Sequence, residues 1–322
     1  KNIDKRILLS GTAIKNRPME FFYQLKFLKP DIFSEKEHFG LRYCDPQVNH
    51  YSKSKFKTYI FNGSSNAREL NAKISPFYIR RSKENVLKDL PPKTIHQLSI
   101  ELSDKDRKEY EKVCNDFKNK FESDKPTALT SLSRVVKIKQ FLSKKKIKVV
   151  KEFVDKILSE SDDKKVILFS QFKDTQEELL KIFKKNANSI LSKYNSKRRM
   201  DEVTEFINNP EKRVLVSSTI AGGVGFNITA ADTVIFVDLL WNPADHSQAE
   251  DRSYRIGQEN PVSIYYLNYK DTIEDMLWSI LEQKNEMLGQ VLDGKKQNQT
   301  FNEKDVIKDF MNKFLKEINI KK

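Results

Sequence analysis

Lys165-Val-Ile-Leu-Phe-Ser170 is a short apolar run that ends on a small polar residue. The same pattern returns at Arg213-Val-Leu-Val-Ser217 and at Asp232-Thr-Val-Ile-Phe-Val-Asp238. Such runs read as strands buried on both faces, which is how parallel strands are patterned. Helical patterns lie between them: Asp174 to Lys185, Arg199 to Asn208 with Val203 and Phe206 inward, and Ala244 to Arg255. Val262 to Leu267 is a further strand, and Thr272 with Asp275 opens a helix carrying Ile273, Leu277, Ile280 and Leu281. Strands alternating with helices predict an α/β fold with a doubly wound parallel sheet.

Outward from this series the pattern changes. Arg6 to Ser10 reads as one more buried strand, opening into a loop at Gly11-Thr12, and Pro18 to Leu28 as a helix. Pro30 to Gly63 shows no period and reads as an irregular insertion. Leu90-Pro-Pro-Lys93 marks a linker. Thr94 to Leu102 alternates like a strand, and Ser103 starts a charged helix running to about Phe121. The basic run Lys144, Lys145, Lys146 and Lys148 reads as a solvated helix face, with phosphate contact as the alternative. An amphipathic helix is expected from about Glu303 to Ile318.

The chain has 322 residues with 59 Lys and Arg against 45 Asp and Glu, a net charge of +14 that favours a polyanionic partner. No long apolar run speaks for a membrane span, and no secretory signal is visible. Cys44 and Cys114 have no metal-ligand spacing and read as ordinary thiols of a reducing compartment.

In a doubly wound sheet, ligands gather outside the carboxyl ends of the strands. Those ends here are Ser10-Gly11-Thr12, Ser170-Gln171, Ser217-Ser218-Thr219, Asp238 and Asn268, small polar groups suited to phosphate or sugar. Ala221-Gly-Gly-Val-Gly-Phe-Asn227 follows one of them and lets backbone amides approach a ligand. In Ser247-Gln-Ala-Glu-Asp-Arg-Ser-Tyr-Arg-Ile-Gly-Gln258, a helix would set Gln248, Arg252 and Arg255 on one face. Two arginines there repel unless an anion lies between them, and guanidinium forks suit phosphate oxygens. A solvated basic face is the alternative. The chain holds no Gly-x-x-x-x-Gly-Lys-Ser/Thr loop and no Asp-Glu-Ala/Gly-His magnesium motif; its single Gly-Lys, Gly294-Lys295, lies in a polar tail.

Six segments together resemble the SWI/SNF family of helicase-like ATPases in superfamily two, from its third motif to its sixth. They are Leu8 to Asn16, Phe77 to Lys93, Val166 to Gln171, Ser218 to Asn227, Leu240-Trp-Asn-Pro243 and Gln248 to Gln258. Phe39 to Asp45 and Gly63-Ser-Ser-Asn66 further resemble the annealing-helicase, fork-remodelling subgroup. The resemblance implies two RecA-like lobes closing on ATP and DNA. Residues 1–90 would end the first lobe, with an irregular insertion. Residues 91–292 would form the second lobe, with a helical protrusion at about 103–145, and 293–322 a tail. The phosphate loop and magnesium carboxylates would lie upstream of Lys1.

The implied roles follow the motifs. Arg252 and Arg255 are the arginine fingers, while Gln248, Gly223 and Gly225 approach the nucleotide. Ser10, Gly11, Thr12 and Trp241 couple hydrolysis to movement. Ser170, Gln171, Arg199, Ser218 and Thr219 contact the DNA backbone. Trp241 reads equally as a packed aromatic beside Pro243. No metal ligand is expected in this chain; ATP and Mg²⁺ would be bound mainly by the first lobe. The implied function is that of an ATP-driven double-stranded DNA translocase, remodelling forks, annealing strands or acting on chromatin, in the nucleus. The isolated segment would not hydrolyse ATP. Ala13 replaces a usual proline, Ile220 a frequent basic residue, and Ser189 to Ser196 lacks a usual glycine. The alternative from another class is a catalytically silent DNA-binding scaffold.

Overall fold

The computed structural model describes residues 5–49, 56–123, 128–219, 225–295 and 301–302. The expected helix from Glu303 to Ile318 lies outside the described residues. Contacts divide the chain into two units. Among the described residues, those up to Val86, Asn242–Ala244 and those from Ser279 on form the first; Leu87–Trp241 and Asp245–Trp278 form the second.

In the first unit, Pro18–Phe21 forms a single 3₁₀ turn that continues as α1 (Phe22–Leu28). Proline at the start costs nothing there, since its missing N–H would be unpaired anyway. The segment expected to be irregular holds α2 (Lys36–Tyr43) and a two-stranded antiparallel pair, Gln47–Val48 with Tyr59–Ile60. α3 (Ala67–Ile74) follows. An aromatic core of Phe21, Phe22, Phe33, Phe39 and Tyr43 closes with Leu25, Leu70, Ile74, Met287 and Val291. Its rings meet edge-on, as Phe21 does with Tyr78 at 5.7 Å. Arg6 to Ser10 departs from expectation: no strand forms, and Ile7 and Leu9 are 80% and 94% exposed. An apolar run becomes a strand only where another strand pairs with it, and among the described residues no strand pairs with this segment.

The second unit carries the sheet. Its strands are β1 (Lys93–Ile100), β2 (Val166–Ser170), β3 (Ala187–Ile190), β4 (Val214–Ser218), β5 (Thr233–Phe236) and β6 (Val262–Tyr269). They lie in the order β1-β6-β5-β2-β4-β3, every neighbouring pair parallel. This is the expected α/β architecture. β2, β4 and β5 are buried at every residue, whereas β1 is an edge strand and mostly exposed. β3 had no sequence signal, because its Asn188 and Ser189 interrupt the apolar pattern.

The covering helices are α4 (Asp104–Ser123), α5 (Ala128–Lys145), α6 (Ile147–Glu160), α7 (Lys173–Phe183) and α8 (Ser196–Asn208). Ser103 caps α4 by accepting from the Asp106 amide at 3.2 Å. Val150, Val154 and Ile157 of α6 and Leu179 and Phe183 of α7 pack on Val166, Leu168, Val214, Val216 and Ile235. α9 (Pro243–Glu250) and α10 (Ile273–Asp293) follow. All four apolar positions expected on α10, Ile273, Leu277, Ile280 and Leu281, are buried.

The basic run corrects the sequence reading. Lys144 pairs with Asp174, Lys145 with Asp106 and Glu109, and Lys148 is solvated. Lys146 is fully buried. Its ammonium donates to the carbonyls of Val237 at 2.8 Å and Leu267 at 2.6 Å, and meets the Glu274 carboxylate at 2.7 Å. Consecutive residues at a helix junction point about 100° apart, so three lysines in a row cannot all face water.

Candidate functional site

The chain leaves β2 toward β4 and β3 and leaves β5 toward β6, in the opposite direction. The switch point, where a crevice opens beyond the strand ends, therefore lies between β2 and β5. Ser170 and Asp238 meet there. The Ser170 hydroxyl donates to Asp238 at 2.6 Å, the Ser143 hydroxyl at 3.1 Å, and the Gln171 amide at 3.0 Å. Asp238 is 1% exposed, so these donors hold a buried carboxylate in place. Gln171 also donates from its side chain to the Leu239 carbonyl at 3.1 Å. Lys139, fully buried, sets its ammonium 5.1 Å from the ring centre of the half-buried Trp241. Burial lowers the Lys139 pKa to about 8, against the pull of Asp238 and Glu274.

Beyond β3 and β4 a second group forms. Ser218 and Ser192 share a hydroxyl hydrogen bond of 3.0 Å. Arg199 donates to the Leu191 carbonyl at 3.3 Å and the Ser192 carbonyl at 2.9 Å. Ser170, Ser218 and Thr219 are almost wholly buried, and Arg199 and Gln171 partly so. Hydroxyls expected to face a DNA backbone thus point into the protein. The partners they found, Asp238 and Ser192, are not legible as such in the sequence.

The arginine segment differs from the expected helix. α9 stops at Glu250, and Asp251 to Gly257 run as successive turns. Gln248, Arg252 and Arg255 therefore do not share one helical face. What fixes the loop is tertiary. Ile228 donates its amide to the Arg252 carbonyl at 2.9 Å, and the Ser253 hydroxyl donates to Ala231. The Gln258 side chain donates to the carbonyls of Thr229 at 3.1 Å and Ala231 at 3.0 Å. Gly257 sits at φ 97°, a conformation that costs other residues energy, so the turn before Gln258 requires glycine. Arg252 is 8% exposed. Burial first, then the charge of Arg255, lowers its pKa from the ordinary value. An anion bound beside Arg252 would offset both the burial and the like charge.

Gly225 lies just before the 228–231 segment that pins the loop, at φ 57°, again a glycine conformation. Gly223 and Ile220 fall outside the described residues. In the first unit, Ser10 and Gly11 are exposed, and the Thr12 amide donates to the Ser10 hydroxyl at 3.0 Å. Among the described residues no group of three His, Cys, Asp or Glu could hold a metal ion, and no helix is long and apolar enough to cross a membrane. Cys44 and Cys114 are buried thiols pushed up to about 12 by burial.

His246 of α9 accepts a hydrogen bond from the Leu240 amide at 2.9 Å and meets both Phe236 and Tyr266 edge-on. Burial, reinforced by Lys139 and opposed by the Leu240 contact and Asp245, lowers its pKa to about 3. The folded imidazole stays neutral where the unfolded one, at about 6.5, gains a proton. Stability is therefore full above about pH 6.5 and falls as the pH drops toward 3, by up to about 1.4 kcal/mol per pH unit. His246→Gln should flatten the fall in melting temperature between pH 6.5 and 5; an unchanged slope would contradict a buried neutral imidazole.

Comparison with known proteins assigns the class. Residues 2–145 match the SNF2-related domain, and residues 145–257 the helicase conserved C-terminal domain. The chain belongs to the SNF2-related family of helicase-like ATPases. An uncharacterised ATP-dependent helicase of Mycoplasma genitalium is 33% identical over 312 residues, covering 89% of this chain and 28% of the relative. The human DNA annealing helicase and endonuclease ZRANB3 is 29% identical over 297 residues, covering 91% and 27%. A Caenorhabditis elegans homologue of the SWI/SNF-related regulator of chromatin subfamily A-like protein 1 is 33% identical, covering 88% and 41%. The chain thus spans between about a quarter and two fifths of the length of these relatives. The Sulfolobus solfataricus SWI2/SNF2 ATPase core in complex with dsDNA shares the fold at TM-score 0.50 and 24% identity, over 86% of this chain and 60% of that one. The C-terminal part of the Fun30 ATPase domain does so at 0.50 and 19%, over 64% and 98%.

Proposed function

We propose that this chain is the second motor lobe, with the end of the first, of an ATP-driven double-stranded DNA translocase. Its work is to remodel forked DNA or anneal strands. The observation that carries the reading is the arginine loop: the segment bearing Arg255 and the nearly buried Arg252 is pinned to residues 228–231 through the Arg252 carbonyl, Ser253 and Gln258. Such a pair fits the phosphate chain of ATP, and bound nucleotide would supply the bond that is broken. Arg252 and Arg255 would neutralise charge that develops on the transferred phosphoryl group. Gln248, Gly223 and Gly225 would approach the same nucleotide. Ser10, Gly11, Thr12 and Trp241 would couple its state to movement. Residues 1–90 are assigned to the first lobe, 91–292 to the second and 293–322 to a tail.

No phosphate loop lies within the sequence, so ATP and Mg²⁺ are assigned mainly to a first lobe acting in concert with this one. Alone, the 322-residue chain should not hydrolyse ATP. The likeness to ZRANB3, a DNA annealing helicase, supports strand annealing on DNA. The likeness to a regulator of chromatin supports a nuclear location, while the equally similar relative from Mycoplasma, a bacterium without a nucleus, weighs against it.

The net charge of +14 argues for contacts with phosphates rather than base edges. Binding of duplex DNA by this chain should weaken steeply and log-linearly with salt, with one slope for unrelated sequences. Sequence-dependent slopes, or binding indifferent to salt, would oppose the reading.

A further inference from the structure

We propose that Glu250 is a positioning residue whose carboxylate, shared between Lys93 and Tyr266, holds the arginine loop in register with the linker. The inference rests on the reading of Arg252 and Arg255 given above. Glu250 is the last residue of α9, one peptide before the loop begins. It is 5% exposed, and each carboxylate oxygen has its own donor. Oε1 accepts from the Tyr266 hydroxyl, and Oε2 from the Lys93 ammonium at 3.0 Å.

Neither donor is free to wander. Tyr266 is stacked on Phe236 at 4.7 Å and meets Trp278 edge-on at 5.2 Å, so its hydroxyl is a fixed point on β6. Lys93 is the first residue of β1 and follows Pro91 and Pro92, whose rings fix the direction in which the chain arrives. The Pro92 carbonyl accepts from the Val262 amide at 2.9 Å, tying that entry to β6 as well. The Lys93 ammonium also lies 5.2 Å from the ring centre of Tyr254, which stands between the two arginines in sequence. Lys93 therefore touches the arginine loop at its root and at its middle. A buried ion pair contributes little net stability against an apolar substitute. What this one adds is geometric, because its partners are the linker strand and the loop rather than two parts of the core.

The test uses the complete motor protein that contains this chain, with Glu250→Gln, Lys93→Met, Lys93→Arg and, as reference, Arg255→Ala. Small misplacements of a charge-stabilising group cost one to two orders of magnitude in rate. DNA-stimulated kcat should fall at least about tenfold in Glu250→Gln and in Lys93→Met, with KM for ATP moving less than about twofold. Lys93→Arg, which keeps the charge, should restore most of kcat. The Glu250→Gln/Lys93→Met double variant should be no worse than its poorer single, as for residues that act as one unit. In the 322-residue chain, amides of residues 251–258 should exchange faster in Lys93→Met while those of β2 and β4 stay protected. Lys93 is partly exposed at the sheet edge, so this variant is expected to fold. If both single variants keep kcat within about twofold while Arg255→Ala collapses, the clamp is overturned and the arginine reading stands. If Arg255→Ala itself turns over normally, the reading beneath the proposal falls, and the proposal with it.

Discussion

Lys146→Met should destabilise the second unit by about 3–5 kcal/mol, the usual result of removing one member of a buried ion pair. The ammonium serves three acceptors at once, the carbonyls of Val237 and Leu267 and the carboxylate of Glu274, and both charged side chains are 0% exposed. Glu274 also accepts the Tyr269 amide at 2.8 Å through its other oxygen. Methionine leaves that carboxylate buried with its charge uncompensated. Burial already raises the Glu274 pKa against the opposing pull of Lys146, and loss of the lysine should raise it further. A melting curve is the check, with a fall of roughly 6–15 °C expected. Lys146→Met combined with Glu274→Leu should recover much of the loss, since an apolar pair of similar volume is often neutral in such places. A single variant that melts within about 2 °C of the parent would contradict the network.

Arg255→Ala should lower kcat for ATP in the complete motor by roughly 10³-fold or more, the scale on which arginine fingers act in phosphoryl transfer. Duplex binding should change little, because Arg255 is assigned to the nucleotide rather than to the DNA. Arg252→Ala is a poorer probe of chemistry. Arg252 is nearly buried and its backbone carbonyl is tied to Ile228, so its loss should disturb the loop as well as remove a charge. Single-turnover rates separate the two effects: Arg255→Ala should slow the chemical step, whereas a merely structural role would leave it intact.

Particular elements show what the sequence carries. β2, β4 and β5 announce themselves because both faces are buried, so apolar residues run without a break and stop at Ser170, Ser218 and, just past β5, Asp238. β3 does not, since its polar Asn188 is held by Glu202 and Glu205, a contact made by α8 and not by the strand itself. The arginine loop fails in the other direction. Gln248, Arg252 and Arg255 keep helical spacing by accident of composition, while the bonds that stop the helix at Glu250 come from Ser253 and Gln258 reaching residues 229–231. Only Gly257 signals the break from within. The same holds for the site. Arg252 and Arg255 stand out by chemistry, but Asp238, Lys139, Glu250 and Lys93 acquire meaning only once the strand order brings them to a partner. Lys146 was misread for a related reason: composition says lysine is solvated, and only Glu274, 128 residues away in sequence, reverses it.

The most direct test of the account is ATP turnover, measured for the complete motor and for this 322-residue chain, each with and without forked duplex DNA. The account predicts turnover by the motor that rises when DNA is added, and none by the chain alone. A motor that binds DNA in a salt-dependent manner yet hydrolyses no ATP would contradict it and leave a DNA-binding scaffold in its place.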